Sequence, residues 1–256
     1  MVPTLDQARR IIWAVRDLDY MPANADRGRI LFAFFCVMLY CGLRPAEAVA
    51  LKVDNCHLPV RGWGKLTLTS SAPEVGELWT DDGQRYEQRG LKHRDPKAVR
   101  VVPIPPDLVK ILRLHLMDFA PAADWWLFYD GPDHAFLKGQ MYRRVWDRAR
   151  KAALSGAEYA SPLARRVYTL RHFNASTLLQ AGLDTADVAR RLGHSIQTLL
   201  TIYAHWIDTG EERANALIDA VLARETRPFN ALTSTNEPGS RGPATGQPAA
   251  ELRATA

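Results

Sequence analysis

Cysteine is scarce in this 256-residue chain, and the three present (Cys36, Cys41 and Cys56) form no C-x-x-C pair. An odd number at that spacing speaks against a disulfide framework and against a zinc site, and it suits a reduced, cytosolic compartment. Cys36 and Cys41 lie in an apolar run, where a free thiol behaves as a small hydrophobe. Long apolar runs are missing too. The most apolar window, Ile30–Leu43, spans fourteen residues, short of the roughly 20 that cross a bilayer. A buried core helix is expected there, and no membrane partner. The N-terminus, MVPTLDQARR, lacks the basic-then-apolar layout of a secretion signal. No cluster of carboxylates stands ready to hold a divalent cation, and neither a metal nor a cofactor is expected.

What is present is ordinary for a folded protein: 47% hydrophobic and 24% charged residues, with a net charge of +5. The length allows one large domain or two modest ones with a real core. The basic balance permits a polyanionic partner without requiring one. Towards the C-terminus periodicity vanishes and proline, glycine, alanine, serine and threonine dominate. Residues 226–256 therefore read as a disordered tail, and 1–225 as the folded region.

Thr4 and Gln7 resemble a capping box ahead of the run Ala8–Val15. A loop of small and polar residues, Pro22–Arg29, leads into the apolar helix Ile30–Tyr40, which Gly42 is placed to stop. Arg44 follows, extended by its position before Pro45, which suits the first turn of a helix reaching about Leu51. A corner residue of that kind can aim its guanidinium into a cleft, or lie on the surface as most arginines do. From Lys52 to Pro105 the pattern turns β-like. Leu66–Thr69 alternates, and a strand over about Arg85–Leu91 would turn across His93–Lys97 into the β-branched run Val99–Ile104. The tip would carry Lys92, His93, Arg94, Lys97 and Arg100, as a binding element or as a solvated turn.

Helices are expected over Asp107–Phe119 and Lys138–Ala153, with a short buried run, Trp125–Tyr129, between them. The second helix sets Met141, Val145, Ala149 and Ala152 on one face and Arg143, Arg144, Arg148, Arg150 and Lys151 on the other. The arginine face fits a phosphate backbone, and fits a plain amphipathic surface helix almost as well. The densest chemistry lies in Tyr168–His205. Helices over Leu170–Ala181 and Thr185–Leu192 end at Gly182 and Gly193, and Ser195 can cap a third. In that third helix Ile196, Leu199, Leu200 and Tyr203 share a stripe. Taken alone, a tyrosine there is more often a core residue with a bonded hydroxyl than a nucleophile. Glu211–Arg224 is again amphipathic, with Ala214, Leu217, Ile218, Val221 and Leu222 free to dock on this domain or a neighbour's.

In order, four segments resemble the motifs of the tyrosine recombinases, the phage-integrase type. YCGLRPAEAVALK is similar to the first-arginine motif and LKHRDPKAVRVVPIP to the β-hairpin lysine segment. YTLRHFNASTLLQAG resembles the H-x-x-R box, and LGHSIQTLLTIYAHW the L-G-H box with its nucleophilic tyrosine nine residues on. The similarity runs from Thr4 to Leu222. It implies an α+β, mainly α, catalytic domain with a small antiparallel sheet, acting as a site-specific recombinase of a mobile element or prophage. Tyr203 would attack the scissile phosphodiester, giving a 3′-phosphotyrosyl link and a free 5′-hydroxyl. Arg44 and Arg171 would clamp the non-bridging oxygens, His194 would donate to the same group, and Lys92 would protonate the leaving oxygen. The implied partner is double-stranded DNA, bound by a homo-tetramer at synapsis, in the cytoplasm at the nucleoid.

Elementary chemistry agrees with those roles. A phosphodiester gains charge on its equatorial oxygens in the transition state, and fixed guanidinium forks offset it. A phenol with a pKa near 10 needs a cationic site or a base before it attacks. A lysine whose pKa is lowered by neighbouring cations is a sensible general acid.

Two departures from the pattern stand out. The histidine expected three residues before Arg171 is Tyr168, a possible hydrogen-bond donor to phosphate but a poor base near neutrality. His172, one residue past Arg171, would lie about 100° round a helix and so is not expected to substitute. Weakened chemistry is the expectation, and Lys97 rivals Lys92 as the acid. The family's usual DNA-clamping domain ahead of the catalytic one is expected to be absent: either this chain is a catalytic fragment, or its grip is borrowed from a separate DNA-binding or accessory protein. The competing reading is a non-catalytic DNA-binding remnant that occupies sites or modulates a full-length recombinase.

Overall fold

A helix that is apolar on every side has to be enclosed, and this fold is built around one. In the computed structural model, which describes residues 1–22, 25–74, 89–91, 98–119, 125–131, 135–203 and 211–225, that helix is α2, Arg27–Cys41. Leu31, Phe34, Phe35, Val37 and Met38 are fully enclosed. α1 (Leu5–Asp17), α4 (Pro106–Asp118) and α7 (Thr169–Gln180) pack around it, and α1 also lies against α5 (Gly139–Ala153). The capping box at Thr4 and Gln7 forms as expected, with Thr4 N donating to Gln7 Oε1 at 2.9 Å and Gln7 N to Thr4 Oγ1 at 3.2 Å.

α2 stops at Gly42, whose φ of +60° is the left-handed conformation a β-carbon disfavours. A β-carbon there would also collide with the side chains of Leu192 and Asn174. Arg44 then takes an extended conformation and Pro45 opens α3 (Pro45–Val49), slightly shorter than expected.

The sheet runs β1 (Cys56–His57), β2 (Gly64–Leu68), β3 (Arg100–Ile104), all antiparallel, with Leu66 opposite Val102 and Leu68 opposite Arg100. β3 pairs with β2; of the strand expected over 85–91, residues 85–88 lie outside the described residues, and Arg89 bridges Ser71. Residues 92–97, the expected basic tip, lie outside the described residues. Arg100 does not belong to a solvated tip. Its parity along β3 is that of Val102 and Ile104, so it points inward and is only 3% exposed.

A second correction concerns α5. Its dry face is made by Tyr142, Val145, Trp146 and Ala149, while Ala152 is exposed. Arg150, one turn beyond Trp146, is buried with them rather than lying on the arginine face. Its Nε and Nη2 donate to Leu163 O at 3.0 and 2.8 Å, and Nη2 to Tyr159 O at 3.2 Å, tying α6 (Gly156–Ala160) and the next loop to α5. Arg143, Arg144, Arg148 and Lys151 remain exposed.

α7, α8 (Thr185–Leu192) and α9 (Ile196–Tyr203) enclose a small apolar cluster of Ala175, Leu179, Val188, Ala189, Leu192, Leu199 and Tyr203. Leu199 and Tyr203 form the buried stripe of α9; Ile196 and Leu200, expected beside them, are exposed. All of these elements lie in one unit, Met1–Asp208. A second unit, Thr209–Ala256, contains α10 (Glu211–Glu225), on which Ile218, Val221 and Leu222 are more than half exposed. The tail at 226–256 lies outside the described residues. No described helix is long and apolar enough to cross a membrane.

Arg150 gives a stability test. Arg150→Ala leaves buried carbonyls without a donor and should cost about 3 kcal/mol in urea unfolding. Arg144→Ala, on the exposed face, should stay within about 0.5 kcal/mol. Equal costs would contradict the burial of Arg150.

Candidate active site

The last carbonyls of a helix have no helical partner and carry the negative end of its dipole. At the C-terminal end of α8 guanidinium groups gather on them. Arg171 Nη2 donates to Leu192 O at 2.6 Å, Arg100 Nη1 to the same oxygen at 2.9 Å, and Arg44 Nη2 reaches Gly193 O at 3.4 Å. Gly193 has a φ of +68°, and a β-carbon there would strike the Arg100 guanidinium. Arg171 Nη1 also donates to Gly42 O, so the corner after α2 and the corner after α8 hold one arginine between them.

Glu47, on α3, is the counter-charge. Its Oε1 accepts from Arg44 Nη1 at 2.7 Å and Arg100 Nη1 at 3.1 Å; its Oε2 accepts from the Arg44 backbone N and Arg100 Nη2, both at 2.8 Å. Burial pushes the Glu47 carboxyl up, but the charges of Arg100, Arg44 and Arg171 outweigh burial and hold it below the usual carboxylate range. Sequence reasoning missed both Glu47 and the inward role of Arg100. The available signals were a glutamate three residues after the helix-starting Arg44 and the strand parity of Arg100.

Arg171 is fully enclosed; burial first, then the charge of Arg44, brings its pKa down to about 10, so it stays cationic near neutrality. Its Nη2 lies 2.7 Å from His194 Nε2. A guanidinium can only donate, so Nε2 accepts and the neutral ring carries its proton on Nδ1. Burial, followed by the charges of Arg171 and Arg44, depresses the His194 pKa to about 3 and keeps the ring neutral. His194 Nδ1 and Arg171 Nε are buried without a hydrogen-bond partner among the described residues.

The His194 ring stacks on Tyr203, with centroids 6.4 Å apart and planes 24° from parallel. Tyr203 is itself enclosed, and burial pushes its phenol up to about 12 in spite of Arg171. Its hydroxyl lies 2.9 Å from His172 Nδ1. The His172 ring in turn meets the ring of Tyr168 edge-on, at 5.1 Å. Burial lowers the His172 pKa, and the charges of Arg171 and the amino terminus of Met1 lower it further.

Arg44, Arg171, His194 and Tyr203 thus come together from α2's corner, α7, the α8–α9 turn and α9. Tyr168 joins them at the start of α7 through its contact with His172. Lys92 and Lys97 lie outside the described residues. His172 is a neighbour of the phenol that the sequence reading set aside. It is 100° from Arg171, but it is one helical turn from Tyr168 and shares that residue's face. The described residues contain no group of three or more histidines, cysteines and carboxylates that could hold a metal ion.

The model of the phage integrase family matches residues 4–209, and the chain belongs to that family. Tyrosine recombinase XerD of Lacticaseibacillus casei is 27% identical over 179 residues, which is 68% of this chain and 49% of that protein. The chain therefore spans about half the length of the curated relatives it matches. Among solved structures, the Tn1549 transposon integrase in complex with transposon right end DNA superposes with a TM-score of 0.61 at 16% identity, covering 87% of this chain and 66% of that one. The catalytic domain of bacteriophage HP1 integrase gives 0.50 at 19% identity, covering 92% and 98%. The fold is that of a tyrosine recombinase catalytic domain, mainly helical with a small antiparallel sheet.

The depressed histidines fix the sign of the pH dependence. His115, buried with Nε2 at 2.8 Å from Leu127 O, is lowered by burial as His172 and His194 are. Each binds its proton more readily in the unfolded chain, so its contribution is complete above about pH 6.5 and is lost on acidification. The lowered Glu47 carboxyl acts in the same direction below its unfolded pKa. Urea unfolding should show lower stability at about pH 5.5 than at about pH 7.5, and His194→Asn should flatten the difference. A stability that rises on acidification would contradict neutral, buried imidazoles.

Proposed function

We propose that this chain is the catalytic part of a site-specific DNA recombinase that cuts and rejoins double-stranded DNA through Tyr203. The observation that carries the reading is the contact of the buried Arg171 with His194 beneath the stacked Tyr203 ring, with Arg44 on the adjoining Gly193 carbonyl. Tyr203 Oη forms a bond to the scissile phosphorus as the bond to the 5′-oxygen breaks, leaving a 3′-phosphotyrosyl link. The phosphodiester is stored covalently, so religation needs no nucleotide.

Arg44 and Arg171 offset the charge that grows on the non-bridging oxygens, and the unpartnered Nδ1–H of His194 donates to the same group. Lys92, with Lys97 as its alternative, supplies the proton to the leaving oxygen. Tyr203 is enclosed, so α9 has to give way before the phenol meets a phosphate. The exposed arginine face of α5 tracks the DNA backbone. The active assembly is a tetramer on DNA, working in the cytoplasm on behalf of a mobile element or prophage. The position of Tyr168 favours one other reading, a DNA-binding remnant without chemistry.

A pool of nicked suicide duplexes randomised across the crossover region separates the two. A covalent protein–DNA adduct on a denaturing gel is the expected result, absent in Tyr203→Phe. Arg44→Ala and Arg171→Ala should slow it by about 10²- to 10³-fold. No adduct from the unaltered chain on any duplex would leave the remnant. Replacing both Arg144 and Lys151 by Gln should lower the slope of log affinity against log salt by roughly 2. An unchanged slope would remove the α5 face from the interface.

A further inference from the structure

We propose that His172 accepts the Tyr203 proton during attack, taking the task for which Tyr168 is unsuited. This rests on the strand-transfer reading above and names the proton's destination within it. The geometry is direct: His172 Nδ1 lies 2.9 Å from the Tyr203 hydroxyl, within the reach a general base needs. α7 fixes the ring from below, because Tyr168 and His172 are one turn apart and pack edge to face at 5.1 Å. In the resting structure the phenol, at the end of α9, lies in the cluster with Leu199 and stacks on His194 of the α8–α9 turn.

The other two neighbours, His194 and Tyr168, fail as the base for chemical reasons. The Nε2 lone pair of His194 already accepts from Arg171, and that ring presents its face, not a nitrogen, to Tyr203. Tyr168 is a phenol, which takes up no proton near neutrality. The groups facing His172 are Tyr203 from α9, Tyr168 and Arg171 from α7, and the amino terminus of Met1. The two cations and burial keep the free imidazole neutral, hence able to accept. A bound phosphodiester brings negative charge beside Arg171, which raises the basicity of His172 when it is needed.

The step balances. The Tyr203 oxygen bonds to phosphorus, its proton passes to His172 Nδ1, and the departing 5′-oxygen takes a proton from the Lys92 ammonium. Religation reverses all three: the 5′-hydroxyl returns its proton to the amine, and the tyrosine oxygen leaves with the proton held by the imidazolium.

The test uses the full chain on the randomised pool of nicked duplexes in single turnover, with thermal unfolding to confirm that each variant folds. His172→Asn and His172→Ala should form adduct about 10²- to 10³-fold more slowly than the unaltered protein. Imidazole in the medium should restore about tenfold to His172→Ala. The unaltered rate should level off as pH rises past the His172 pKa, whereas the His172→Asn rate should keep rising towards the phenol's own ionisation. Nitrogen-15 NMR of the free protein should show His172 Nδ1 unprotonated. An adduct rate for His172→Asn within threefold of the unaltered protein, or above it, overturns the assignment, as does a protonated Nδ1. No adduct from the unaltered protein defeats the strand-transfer reading and takes this assignment with it.

Discussion

Arg44 and Arg100 share a single buried carboxylate while Arg171 lies within its field, and the architecture around them tolerates the excess of positive charge. Among the described residues three positive charges gather around the one of Glu47, an excess of two. Unpaired charge inside a protein is expensive, and removing one partner of such a group is worse than never burying it. Peptide dipoles carry part of the compensation, through the carbonyls of Gly42, Leu192 and Gly193. What they leave over is positive charge, which suits the phosphate of the proposed reaction. The cost of gathering it is met when the chain folds, so the guanidinium groups themselves need little reorganisation in that reaction.

The fold's less obvious features follow from that requirement. Two helices end in left-handed glycines, Gly42 and Gly193, because a carbonyl has to turn towards a guanidinium with no side chain in the way. Asn174, one turn past Arg171 on α7, donates to Leu39 O and Tyr40 O at 3.0 and 2.9 Å, pinning α7 to the last turn of α2. β3 turns an arginine inward where its neighbours Val102 and Ile104 are apolar. Without Glu47 to meet it, that inward charge would make β3 a poor strand for this sheet.

Much of this was readable from the chain. The capping box at Thr4, the enclosed α2, the stop at Gly42, the corner at Arg44 and Pro45, and the run α7–α8–α9 all follow from local rules. So did the choice of Arg44, Arg171, His194 and Tyr203 as neighbours, once four motifs in series resembled one family. The charged residues of the interior were not readable, because arginine and glutamate are mostly exposed and local pattern cannot say which are not. Local pattern puts Arg150 and Arg100 on an exposed face and tip, whether for binding or for solvent; each is buried by partners supplied from elsewhere in the chain, Leu163 for one and Glu47 for the other. Strand parity points Arg100 inward, and counting from Tyr168 instead of Arg171 puts His172 on the face of Tyr168. The pairing of β3 with β2 depends on a long-range register that no local window contains.

In the proposed reaction the same charge balance explains why Tyr203, as nucleophile, needs a neighbour of its own. In the resting site burial outweighs Arg171 and the phenol stays well above its ordinary pKa. Docking a phosphodiester does not ease that, because the anion spends the arginine field on itself and leaves less of it to favour a phenolate. The cations that bind the substrate cannot also ionise the tyrosine. A phenol so placed has to pass its proton to a base as it attacks, and the base has to be neutral beforehand and close by. Arg171, by contacting His194, removes one imidazole from that task; burial, with Arg171 adding to it, lowers the pKa of His172 and keeps the other free for it.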